Sequence, residues 1–130
     1  MIITDRIEIE NRINYICNNE NEKRAINIDM NDFKPLLKSK ELSAIEAEAE
    51  DMANLVVTLL RELGDANAKS ATRVLLSISC SHSYGLNMSD MQKLQSVMGS
   101  LADGADLIWG VSYNDNMPMN KIKVSIFFGR

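Results

Sequence analysis

The chain has 130 residues, of which 45% are apolar and 25% charged, a balance that suits one folded domain and excludes a disordered polyelectrolyte. It carries 14 basic against 18 acidic residues, a net charge of −4 with no basic block, so nucleic acid and anionic membrane surfaces are not expected partners. The longest apolar run, Leu55–Leu60, falls far short of the roughly 18 residues that a membrane helix needs.

Ile9, Ile13 and Ile16 recur at helical spacing and Glu8 and Arg12 stand four apart, which predicts a helix from Ile3 to about Asn18 with Thr4 as N-cap. Asn18–Glu22 is a polar loop, and Ala25–Met30 alternates briefly as a strand running into a turn. Asp32 is placed to cap a single helical turn through Leu37, in which Pro35 is tolerated. The period-two spacing of Glu46, Glu48 and Glu50 favours a strand over Leu42–Glu48, against the helix preference of Ala and Glu. Met52, Leu55, Val56, Leu59, Leu60 and Leu63 then form the apolar stripe of a helix that Gly64 stops.

Ala71–Cys80 reads as a strand buried on both faces. Ser89–Ala102 reads as a second amphipathic helix, with Met91, Leu94, Val97, Met98 and Leu101 inward and Ser89 and Gln92 as a capping box. Leu107, Trp109, Val111 and Tyr113 alternate on one strand, and Ile122, Val124, Ile126 and Phe128 on another. The turn-rich Asn114–Asn120 between them predicts an antiparallel hairpin. The whole is an α+β domain: a mixed sheet with two amphipathic helices mainly on one face, plus an N-terminal helix.

The inventory limits the chemistry. The six glycines are scattered singly, so no phosphate cradle exists, and there is one histidine. Asp5 and Arg6 come too early for a signal-peptide core, and Cys17 and Cys80 are too few and too far apart for a disulfide scaffold or zinc site; a cytoplasmic protein with free thiols and no cofactor is expected. The densest polar constellation is Asn27-Ile28-Asp29-Met30-Asn31-Asp32. Two carboxylates three apart beside two amides suit water positioning or general-base work; the plainer reading is turn and N-cap hydrogen bonding. His82, flanked by Ser81 and Ser83, has no third member to orient it, and Cys80-x-His82 is too small a set for a metal. The Glu46/Glu48/Glu50 comb is read as a solvated strand face, and Met117 and Met119 as an exposed contact point.

Arg24-Ala25-Ile26-Asn27-Ile28-Asp29-Met30-Asn31-Asp32-Phe33 resembles the synergy loop of FtsZ, the bacterial tubulin homologue, with its pattern Ile-Asn-x-Asp-x-x-Asp before an apolar residue. Ala71–Ser79, Ala105–Gly110 and Lys121–Gly129 resemble three strands of the same family, in family order and at family spacing. The resemblance covers about Arg24–Gly129, the carboxyl-terminal domain of that family. It implies that residues 1–23 are the end of the central helix with its polar loop, and that 24–130 are the α+β domain. The GTP-binding domain and its Gly-Gly-Gly-Thr-Gly-Thr-Gly loop are not in these 130 residues.

In that family the synergy loop enters the nucleotide pocket of the next subunit, where its acidic residues polarise the water that attacks GTP. By resemblance Asp29 and Asp32 would hold those catalytic roles in trans, with Asn27, Asn31 and Phe33 meeting the partner. The expected function is an interaction module that docks on an FtsZ-type subunit and modulates filaments, with no enzymatic activity of its own. The alternatives are a fragment of a longer FtsZ-like GTPase, against which Met1 opens ahead of a self-contained helix, and an independent small ligand-binding or enzymatic domain on the same scaffold. An apolar face left on the N-terminal helix would also favour a homo-oligomer through Ile9, Ile13 and Ile16.

Overall fold

The computed structural model describes residues 1–18, 23–26, 29–99, 101 and 104–130, with the backbone alone over 23–26. In chain order the elements are β1 (Ile2–Ile3), α1 (Arg6–Asn18), β2 (Lys23–Ile26), α2 (Met30–Leu37), β3 (Leu42–Ala49), α3 (Met52–Asp65), β4 (Arg73–Cys80), α4 (Met88–Met98), β5 (Asp106–Tyr113) and β6 (Ile122–Gly129). They build a six-stranded mixed sheet in the order β1-β3-β6-β4-β5-β2. Among the described residues only β4 and β5 run parallel, joined by α4 as the crossover helix. The α+β class with a mixed sheet stands as expected.

Strand alternation divides the sheet into two faces. Ile45 and Ala47 of β3, Val74, Leu76, Ile78 and Cys80 of β4, and Ile122, Val124, Ile126 and Phe128 of β6 turn to one face. There they form the larger core with Leu55, Leu59 and Leu63 of α3 and Leu94 and Val97 of α4. These are the two amphipathic helices and the face the apolar stripes call for. Ala44, Leu75 and Phe127 turn to the other face and form a smaller core with Ile9 and Ile13 of α1 and Phe33 and Leu36 of α2. β1 adds an edge strand beside β3, with Ile3 in the smaller core.

Four local readings change. The hairpin between the last two strands does not form: β4 lies between β5 and β6, pairing parallel with the one and antiparallel with the other. The turn-rich Asn114–Asn120 instead makes a longer return across β4, since a run buried on both faces is satisfied best in the sheet centre. α2 starts a turn earlier than expected, with Asp29 as its N-cap and Asp32 at N3, and runs for eight residues. α4 is capped by Asn87 and Asp90, not Ser89 and Gln92, and ends at Met98, while Ala102 lies outside the described residues. At the N-terminus Ile2–Ile3 is strand and Arg6 begins the helix, where Asp5 accepts from the Ile7 N–H at 3.3 Å in the place expected of Thr4.

Ile9 and Ile13 are 0% and 1% exposed, covered by the chain's own sheet, and Ile16 packs beside them. The apolar stripe of α1 is therefore spent inside the molecule and is not a face for a second copy.

Candidate functional site

The Asp29–Asp32 carboxylates come together at the N-terminus of α2, and the reason is a reciprocal cap. Asp29 Oδ1 accepts from the N–H groups of Asn31 at 2.9 Å and Asp32 at 3.3 Å, while Asp32 Oδ2 accepts from the Asp29 N–H at 2.9 Å. Each bond satisfies a donor that the first helical turn leaves open. Asp29 and Asn31 are exposed and Asp32 is half-buried. One oxygen of each carboxylate lies outside the capping box, and both charges stand at the positive end of a helix dipole. The plainer reading, N-cap hydrogen bonding, is what this geometry shows. Asn27 and Ile28 lie outside the described residues.

Phe33 is a correction. Expected to meet a partner, it is fully buried and stands edge-on to Phe127, ring centroids 5.6 Å apart at 85°. Phe33 lies on the sheet-facing side of α2 and, with Leu36, fixes the helix to the second face. Beside the tip, Asp32 and Pro35 border a cleft of about 370 Å³ whose far wall is Arg73, Asp106 and Ile108 of β4 and β5.

The sequence reading missed a second site, under α1. Cross-strand rows explain it. The row Ala44–Phe127–Leu75 is apolar, but the next, Glu46–Ser125–Ser77, is polar, as is Glu48–Lys123–Ser79 after it. These rows floor a cleft of about 570 Å³ whose roof includes Glu8 and Arg12 of α1. Glu46, expected on a solvated face, has a side chain only 10% exposed and pairs with Arg12 and, at 3.9 Å, with Lys123. Burial alone would lower the Arg12 pKa; the hydrogen bonds it donates to Glu46 and Glu8, with their charges, outweigh that and hold the guanidinium more firmly protonated. Glu48, by contrast, is exposed and meets Lys121 at 3.6 Å. The Glu8–Arg12 pair at 3.2 Å was legible from the spacing; that Glu46 would join it required the packing of α1 on β3.

His82 does have an orienting partner, contrary to the expectation. Its Nδ1 lies 3.0 Å from Asp115 Oδ1, and its ring stacks on Tyr113 with centroids 4.3 Å apart. The pair is surface-exposed, with side chains 51% and 65% accessible. Cys80 points the other way, into the larger core, where burial and then the charge of Asp90 push its thiol up to about 11. Cys80 and His82 therefore do not converge on a common ligand. No group of three or more His, Cys, Asp or Glu among the described residues could hold a metal ion. No helix among them is long and apolar enough to cross a membrane.

No protein-family model and no curated protein matches the sequence. Among solved structures, an empty FtsZ dimer from M. jannaschii superposes with a TM-score of 0.64 at 18% identity, over 82% of this chain and 32% of that one. A tryptophan-to-tyrosine mutant of the same FtsZ gives a TM-score of 0.65 at 18% identity, over 83% and 33%. The chain has the fold of part of FtsZ. It spans about a third of the FtsZ chains it matches, and the remaining two-thirds of those proteins has no counterpart in the alignment.

Proposed function

We propose that this chain is an interaction module that docks the α2 tip, Asp29 and Asp32, on the nucleotide-bearing face of an FtsZ-type subunit and thereby modulates filament assembly. On this reading it is not an enzyme alone; it lends two carboxylates to hydrolysis on its partner, positioning the attacking water. The observation that carries the proposal is the carboxylate pair at the α2 N-terminus, Asp29 exposed and Asp32 half-buried, in the segment whose sequence resembles the synergy loop, on a domain with an FtsZ-like fold.

The test adds the purified chain to FtsZ of the same organism and follows GTP turnover and pelleting together. The informative variant is Asp29→Asn with Asp32→Asn, because Asn caps a helix as well as Asp and removes only the charge. A sub-stoichiometric change in turnover or pelleting, abolished by the double Asn variant, is the expected result. No effect at several-fold excess, or an effect indifferent to the variant, overturns the reading.

The polar cleft under α1 favours a second reading, a small-ligand-binding domain on the same scaffold. A hydroxyl floor of Ser77 and Ser125 with Glu46, Arg12 and Lys123 around it suits a small polar or zwitterionic molecule. A thermal-shift screen with such compounds, compared with Glu46→Gln, tests it; no compound that distinguishes the two chains discards it.

A further inference from the structure

The charges in the cleft beneath α1 are already matched, and its neutral hydrogen-bonding groups are not. Glu8 pairs with Arg12 at 3.2 Å, Glu46 with Arg12 and, at 3.9 Å, with Lys123, and Glu48 with Lys121 at 3.6 Å. Each charged side chain that lines the cleft thus has an opposite charge beside it. Drawing Glu46, whose side chain is 10% exposed, away from Arg12 would leave a buried charge unpaired, so a charged ligand gains little by entering. The open groups are neutral. Ser77 is 7% exposed and lines the cleft, and its hydroxyl makes no hydrogen bond with a described residue. Asn114 is 9% exposed; its Oδ1 accepts from the Asn116 N–H at 3.0 Å, and both amide N–H donors stay open among the described residues. Glu46 Oε1 adds an acceptor that takes one long bond, from the Ser125 hydroxyl at 3.4 Å. A nearly buried polar group costs free energy until something pairs it.

We propose that this cleft binds a neutral polyhydroxylated ring, a sugar of one or two units. Such a ligand rests on the ligand-binding reading of the same cleft and narrows it to an uncharged molecule. A hydroxyl both donates and accepts. Neighbouring hydroxyls on one ring can therefore accept from the Asn114 amide, exchange a bond with Ser77 and donate to Glu46 Oε1 while every ion pair stays closed. A carboxylate only accepts and an ammonium only donates, so neither does all three. The floor sets the size. Glu46, Ser125 and Ser77 form one cross-strand row; with neighbouring strands about 4.8 Å apart, it extends across about 10 Å, a width that one or two sugar rings cover. The cleft of about 570 Å³ takes a small organic ligand, where a single water needs about 30 Å³. The C–H side of a sugar ring also has apolar counterparts, since Tyr15, Met117 and Pro118 line the same cleft.

The experiment titrates the isotopically labelled chain alone by amide NMR, without FtsZ, so its outcome is independent of the docking proposal. Neutral mono- and disaccharides are set against zwitterions of similar size, amino acids and betaines, each to roughly 50 mM, above the millimolar Kd that so few contacts give. At least one sugar should shift the amides of Ser77, Asn114 and Ser125 along a saturable curve. Its Kd should change less than about twofold between low and high salt, because no charge pairs with the ligand. Ser77→Ala and Asn114→Asp should each weaken binding by about five- to tenfold, with the rest of the spectrum unchanged as the check on folding. Asn114→Asp keeps the acceptor for the Asn116 N–H and loses the two donors. A zwitterion that binds and is lost in Glu46→Gln, with no sugar binding, overturns this proposal and leaves the ligand-binding reading standing. Binding by neither class overturns both. Sugar shifts that never saturate, or that are indifferent to Ser77→Ala and Asn114→Asp, overturn the proposal as well.

Discussion

Replacing Asp29 by Ala removes the acceptor for two N–H groups, those of Asn31 and Asp32, at the start of a helix of eight residues. A lost N-cap costs about 1 kcal/mol, and losing a charge favourable to the exposed helix dipole adds about 0.3 kcal/mol. Asp29→Asn retains the acceptor and loses only the charge, so its cost is about 0.3 kcal/mol. At about 2.1 cal/mol/K of unfolding entropy per residue, those values correspond to falls in Tm of about 5 °C for Ala and about 1 °C for Asn. The Asp29→Ala, Asp32→Ala double variant should cost less than the sum of its singles, because each change deprives the other residue of half of the same reciprocal cap. Differential scanning calorimetry or urea unfolding measures all of this on the chain alone. Equal losses for Ala and Asn, or strict additivity of the pair, would refute the claim that these carboxylates hold α2 in place. The Asn variants would then lose their value as charge-only probes of docking.

Further outcomes follow from the core and the sheet. Phe33→Ala should cost about 3–5 kcal/mol in urea unfolding, since the ring is fully buried against Phe127 in the smaller core; a loss below about 1 kcal/mol would return Phe33 to the surface. Gly129→Ala should destabilise by about 1–3 kcal/mol, because a Cβ there would stand 2.5 Å from Ser39 Oγ and 2.9 Å from the Glu41 carbonyl oxygen. Cys80 keeps its proton in the folded state to about pH 11 while an unfolded thiol releases it near 9.0. Its contribution is therefore intact below pH 9 and is lost as pH rises from 9 towards 11, by up to about 2 kcal/mol. The urea midpoint should fall more steeply over that window than in Cys80→Ala, and identical slopes would contradict it.

Much of the fold lies in short-range pattern. The apolar stripe of Met52, Leu55, Leu59 and Leu63 sets α3 and the face it buries, and period-two alternation sets β3 and β6, because these periodicities are local properties of the helix and the pleated strand. The synergy-loop resemblance likewise rests on one contiguous segment, and its two carboxylates do meet at one helix end. Tertiary structure decided the rest. Strand order is a long-range choice, so the insertion of β4 between β5 and β6 cannot be read from alternation. The Glu46 comb looks solvated in sequence, since only the packing of α1 across β3 turns its inner tooth into the buried partner of Arg12. Phe33 gives the same lesson in reverse: adjacency to a polar loop suggested a surface, but its place in the first turns of α2 and the ring of Phe127 made it core. Periodicity determines which side of an element is apolar; what that side meets depends on contacts between residues far apart in the chain.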